Sequence, residues 1–219
     1  MNDTKIRPDI QALFTKVSGR DVYVIGGGPS FKTEYIEILN DKNVMCINMA
    51  FKYFKNPTAL YWCDDSWASN NYEALESHQC PLRFTGRFNA DNYITKNIRT
   101  TANATVLKRT GEFGIDSDIN CVRGNNSGAN VINFLTNLKV KRIILLGFDM
   151  KIKNGKSHWH NGYGYPLTNS IYTDLFIPSI ESMADAVKRA GVDVVNCSPD
   201  TDLKCFRKVN FDNVIQGKI

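Results

Sequence analysis

Short apolar runs alternate with polar, glycine-rich breaks along this chain. Five runs stand out: Val22–Ile25 (VYVI), Asn43–Asn48 (NVMCIN), Ala59–Cys63 (ALYWC), Arg142–Leu146 (RIILL) and Val192–Asn196 (VDVVN). They are too short for helices and rich in β-branched residues, which predicts strands covered on both faces of a parallel sheet. Pro81–Phe84 and Ala104–Lys108 are two further strand candidates whose pairing order stays open. Between the runs, helical spacing predicts a helix over Asp9–Lys16, a short one over Thr33–Leu39, a brief turn over Phe51–Phe54, and longer helices over Ala129–Leu138 and Ile177–Ala190. From Asp202 the tail reads as a short helix followed by an extended finish. The alternation predicts an α/β chain: one Rossmann-like domain over residues 1–219, with a mostly parallel sheet and helices on both faces. Lys151–Tyr165 is too long and too rich in Gly, Asn and aromatics for a simple turn, and residues 151–176 are predicted to form a small lid.

Polar residues collect where strands end. The first strand runs into Gly26, Gly27, Gly28, Pro29 and Ser30; the second ends at Asn48; the third at Asp64 and Asp65. The carboxyl ends of parallel strands lie along one edge, so these residues are expected to share a site. A strand feeding a glycine turn and then a helix opened by Pro29 predicts a phosphate cradle, with Ser30 as cap or donor. The spacing fits neither a dinucleotide fingerprint, since Phe31 stands where the third glycine belongs, nor a P-loop. Asn126, Ser127 and Gly128 open a later helix and predict a second anion-binding terminus.

Composition narrows the class. The 219 residues are 42% hydrophobic and 22% charged with a net charge of +5, an ordinary globular balance that favours anionic ligands and tolerates nucleic acid. Arg83, Arg87, Arg99, Lys108 and Arg109 make the middle basic, which reads as solvated charge. The six cysteines form no C-x-x-C pair and are expected to be free thiols. The amino-terminal stretch lacks an apolar signal core and no run is long enough to span a bilayer, so a soluble cytoplasmic protein is expected.

Histidine and aspartate supply the candidate chemistry. His158 and His160 lie in the lid and are expected to face opposite ways, so only one is expected to act as a base, and the plain alternative has both packing on Trp159 and Tyr163. Two histidines fall short of a closed metal site, and none is predicted. Asp64, Asp65 and Asp149 at strand ends offer a different chemistry, holding Mg²⁺ for phosphoryl or pyrophosphoryl transfer, although Asp149 equally suits a turn cap. Trp67 and Trp159 are candidate stacking surfaces, whereas Trp62 reads as core.

The ordered motifs GGGPS, Asn48, Asp64, Asn126-Ser127-Gly128, LLGFDM and VVNCSPDTDL resemble the bacterial CMP-sialic-acid-dependent sialyltransferases. They also resemble the flagellin-glycosylation proteins and archaeal hydroxymethyl-dihydropterin pyrophosphokinases of the same GT-A-related fold. In wording, GNNSGANVINFL, RIILLGFDMK, HWH and NCSPDTDLKCF are similar to glycosyltransferase-like proteins of bacteriophages. The resemblance covers residues 22–66 and 123–205. It implies a nucleotide-binding, metal-independent glycosyltransferase needing no cofactor, with nucleotide contacts at Gly26, Gly28, Asn48, Ser127 and Gly128 and a lid histidine as base. Gly27 and Asp64 replace two asparagines of the family pattern, and His158 and His160 lie closer to the LLGFDM strand than the family's base. The expected activity is transfer of a sugar from a nucleotide-activated donor to an unknown acceptor, a glycan or modified DNA. The alternatives are a Mg-dependent pyrophosphokinase and a non-catalytic nucleotide- or nucleic-acid-binding accessory protein.

Overall fold

A computed structural model describes residues 6–88, 101–162 and 167–219. Arg99, Tyr163 and the stretch 163–166 of the predicted lid lie outside these residues. Nine strands form one all-parallel sheet in the order β6-β5-β4-β3-β2-β1-β7-β8-β9. The strands are β1 (Asp21–Ile25), β2 (Val44–Ile47), β3 (Ala59–Trp62), β4 (Arg83–Arg87), β5 (Thr105–Gly111), β6 (Cys121–Arg123), β7 (Arg142–Leu146), β8 (Asp193–Asn196) and β9 (Arg207–Lys208). From β1 the chain builds outward through β6, then returns to lay β7 against the other side of β1. That reversal opens a crevice at the carboxyl ends of β1 and β7, the place where open α/β sheets take ligands.

Side-chain alternation explains the two layers. Val22, Val24, Ile143 and Leu145 point to one face, and Tyr23, Ile25, Ile144 and Leu146 to the other, all buried. The first face is covered by α1 (Pro8–Val17), α5 (Ser127–Asn137), α6 (Ile177–Glu181) and α7 (Ala184–Arg189). The second is covered by α2 (Tyr35–Ile38), a 3₁₀ turn (Asn48–Lys52), α3 (Asp65–Asn70), α4 (Tyr72–Ser77) and α8 (Phe211–Ile215). The long apolar runs are two-sided because each strand serves two cores at once.

Several expectations need correction. No helix opens at Pro29; the chain bends there and α2 begins only at Tyr35. The predicted helix over Ile177–Ala190 divides into α6 and α7 and is preceded by a π-helical segment, Ile171–Phe176. Pro178 has no N–H for the carbonyl of Asp174, and the helix widens just ahead of it. The tail reverses the predicted order, with β9 before α8, and β6 carries too few apolar residues to announce itself. All six cysteines are free, and none of the described helices is long and apolar enough to cross a membrane.

Candidate functional site

The β1–β7 seam determines what the glycines do. Gly26 N–H donates to the Leu146 carbonyl at 2.8 Å and Gly28 N–H to the Gly147 carbonyl at 2.8 Å, so two of the three glycine amides are spent on the neighbouring strand. A methyl at Gly26 would lie 2.7 Å from the Gly147 oxygen and 3.0 Å from the Phe148 ring, while one at Gly28 would overlap Asp149 Oδ2. These two glycines permit close approach of β7, and the predicted cradle of several ligand-facing amides is not what the turn provides. Ser30 is likewise committed: its Oγ donates to Asp149 Oδ2 at 2.8 Å and its N–H to the same oxygen at 3.2 Å. Burial raises the Asp149 carboxyl above its ordinary range, and the Ser30 hydrogen bonds oppose that shift.

The VVNCSPDT motif finishes the seam. Phe148 N–H donates to Ser198 Oγ at 2.8 Å, and the Phe148 carbonyl accepts from Thr201 Oγ1 at 2.7 Å and Asn196 Nδ2 at 3.2 Å. Held this way, the Phe148 ring closes on Gly26 and Gly128, so the motif acts as scaffold.

A cavity of about 460 Å³ opens over the crevice. Its floor is Gly26, Gly27, Gly28, Asn48 and Gly147, with Cys63, Asp64 and Trp67 at the β3 end. Asn125, Asn126, Ser127 and Gly128 form one wall, His158 and His160 another, and Ile171, Tyr172, Leu175 and Phe176 of the π-helical segment lie across the mouth. Pro29, Ser30, Asp65 and Asp149 are not on its surface. Among the described lining residues there is no lysine or arginine, and the one carboxylate is Asp64.

The start of α5 lines the cavity with Asn126, Ser127 and Gly128. Asn126 caps it by accepting from Ala129 N–H at 3.0 Å. Ser127 Oγ lies 3.2 Å from Asn48 Oδ1, to which it donates, and 3.2 Å from Cys63 Sγ. Asn48 adopts a left-handed backbone, φ +48°, which carries the chain from β2 into the 3₁₀ turn and which asparagine tolerates. Cys63 joins the group unforeseen; its sequence signal was its place beside Asp64 at a strand end. Burial raises its thiol pKa, so it sits there as a thiol, with Ser127 pulling weakly the other way.

The lid brings both histidines to one side. Trp159 turns outward between them, donating N–H to Gly27 O at 3.0 Å and Nε1–H to Gly26 O at 2.9 Å, and packing on Phe31 and Tyr53. That places Trp159 as the peg that fastens the lid to the glycine turn. It is not on the cavity wall; Trp67 is, though its ring is buried against Phe51 and Trp62. His158 and His160 stack at 5.4 Å with 26° between their planes, so the expected opposite orientation is wrong: residues two apart fall on the same side of an extended chain, with Trp159 between them on the other. A methyl on Gly27 would lie 2.8 Å from His158 Cδ2, and 3.6 and 3.8 Å from Nε2 of His158 and His160. Gly27 is therefore the glycine whose missing side chain makes room for the imidazoles.

The two rings differ in their protons. Gly162 N–H donates to His160 Nδ1 at 3.2 Å, which puts the proton of the neutral ring on Nε2. His78 shows the same pattern elsewhere in the chain: its Nδ1 accepts from Cys80 N–H, and its Nε2 lies 3.1 and 3.0 Å from the carbonyls of Phe51 and Phe54. His158 Nδ1 instead faces Ser157 Oγ at 2.8 Å, and Ser157 O accepts from Tyr172 Oη. When His158 gives Nδ1–H to that hydroxyl, its Nε2 carries the lone pair. Burial lowers both imidazoles, His160 to about 4 with the nearby His158 adding to the effect.

The carboxylates do not converge. Asp64 Oδ1 accepts from Trp67 N–H at 2.6 Å as the cap of α3, Asp65 pairs with buried Arg87 at 2.6 Å, and Asp149 holds Ser30. Among the described residues no three His, Cys, Asp or Glu side chains come together to hold a metal ion. Against known proteins, no family model and no curated sequence matches this chain.

Proposed function

We propose that the cavity binds the nucleotide part of a nucleotide-activated sugar and that the chain is a glycosyltransferase acting without a bound metal. The observation that carries this reading is the pairing, in one cavity at the β1–β7 crevice, of the α5 terminus with a half-buried His158 and a buried His160. Inverting glycosyl transfer needs a base for the acceptor hydroxyl and donors for the departing phosphate. His158 is the base, through Nε2; His160, with its proton on Nε2, donates, and Ser127 Oγ, turning its proton from Asn48 Oδ1, receives the phosphate with the first amides of α5. Described lining residues without lysine or arginine suit the single charge of a phosphodiester better than a triphosphate. The pyrophosphokinase alternative asks Asp64, Asp65 and Asp149 to share a metal, and their separate engagements weigh against it.

The test is thermal unfolding with nucleoside monophosphates, diphosphates and ATP, each in EDTA and in Mg²⁺. Stabilisation by a monophosphate in EDTA, reduced about tenfold in affinity by Ser127→Ala, is expected. Asn126 keeps the cap of α5 in that variant. Stabilisation confined to ATP with Mg²⁺, or none by any nucleotide, would overturn the proposal.

A further inference from the structure

A neutral imidazole acts as a base at Nε2 only while its proton sits on Nδ1, and the group that faces Nδ1 decides which tautomer forms. The lid gives its two rings different partners there. His160 Nδ1 meets the Gly162 N–H at 3.2 Å, a group that can only donate. His158 Nδ1 meets the Ser157 hydroxyl at 2.8 Å, a group that can also accept.

The neighbouring ring selects between the two roles of that hydroxyl. Nε2 of His158 and Nε2 of His160 lie 3.6 and 3.8 Å from the point where a methyl on Gly27 would stand, so both approach one place. His160 already brings its proton there. A second N–H beside it would be repelled in this half-buried setting, whereas a lone pair on His158 complements the first. Ser157 is held where it can supply that lone pair. It is buried, as is Tyr172, whose Oη donates to the Ser157 carbonyl at 3.3 Å from the π-helical segment across the mouth. On the far side of His158, Trp159 N–H fastens the chain to the Gly27 carbonyl at 3.0 Å. His158 is thus fixed through the residue before it and the residue after it. The proton of the Ser157 hydroxyl turns to the cavity, which Ser157 lines.

We infer, on the reading above in which His158 is the base, that Ser157 is its positioning residue: the hydroxyl accepts Nδ1–H of His158 and so keeps the lone pair on Nε2. The experiment is long-range proton–nitrogen NMR of the full chain labelled at histidine, at about pH 8 where the rings are neutral, which separates a protonated ring nitrogen from one carrying a lone pair. The chain has three histidines, and His78 and His160, which both accept an amide N–H at Nδ1, are internal standards for the Nε2–H form. His158, identified by the signals lost in His158→Gln, should be the ring protonated at Nδ1. In Ser157→Ala its two nitrogen signals should exchange character as the proton moves to Nε2, and in Ser157→Thr, which keeps the hydroxyl, they should stay as in the wild type. A wild-type His158 protonated at Nε2, a tautomer unmoved by Ser157→Ala, or a Ser157→Thr protein that behaves like Ser157→Ala would overturn the inference. The spectra need no substrate, so failure of the nucleotide reading shows separately, as absence of thermal stabilisation by any nucleoside monophosphate.

Discussion

Gly28→Ala tests whether the glycine turn serves the sheet or a ligand. The new methyl would overlap Asp149 Oδ2 and lie 2.6 Å from the Gly147 oxygen, both parts of a buried seam and neither the far end of a mobile side chain. To relieve the overlap the chain must loosen Gly28 N–H from Gly147 O and Asp149 from the hydroxyl and amide of Ser30. Two or three hydrogen bonds at about 1 kcal/mol each, with an overpacking strain of about 1–3 kcal/mol, put the loss at about 3–6 kcal/mol. For a chain of this size that lowers the melting temperature by roughly 6–24 °C. Gly27→Ala is the matched control. Its methyl meets His158 Cδ2 at 2.8 Å, a ring that can swing away, so stability should change by less than about 1 kcal/mol while the imidazole is displaced and transfer falls. Thermal and urea unfolding of both variants decide the matter. A Gly28→Ala protein melting within about 2 °C of wild type would refute the seam argument.

Other consequences follow from the same geometry. His160 is held near a pKa of about 4, below its unfolded value of 6.5, so the unfolded chain binds the extra proton and stability falls as pH drops from 6.5 toward 4. The loss approaches about 3 kcal/mol at the acid end, and His160→Gln should flatten it in unfolding curves taken across that window. For transfer, His158→Gln should remove the base and lower kcat by about 10²–10⁴, whereas His160→Gln, which retains an N–H donor, should cost less; comparable losses in a kinetic assay would merge the two roles. Asp65→Ala leaves buried Arg87 without the carboxylate at 2.6 Å, and urea unfolding should show a destabilisation of about 2–4 kcal/mol.

The chain by itself determined the class of fold. Runs such as Ile143–Leu146 and Val22–Ile25 are apolar at every position because both sheet faces are covered, and that pattern is local, so β1, β2, β3, β7 and β8 lie within a residue or so of where it puts them. The strand ends carrying Gly26, Asn48 and Asp64 were legible for the same reason, since parallel strands must finish along one edge, and Ser127 was legible as the start of a helix. What each polar group does was decided only in three dimensions. Ser30 and Asp149 looked like ligands and spend themselves on each other across 119 residues of chain. The glycines read alike, yet Gly26 and Gly28 make room for β7, and Gly27 makes room for two imidazoles. His158 and His160 share a side, as residues two apart do in an extended chain, but only the fold sets them against Gly27 through the Trp159 peg, and the N–H of Gly162 sets where the His160 proton sits. Side-chain alternation is written every second residue, whereas hydrogen-bond partners chosen across strands and loops depend on distances that no local pattern encodes.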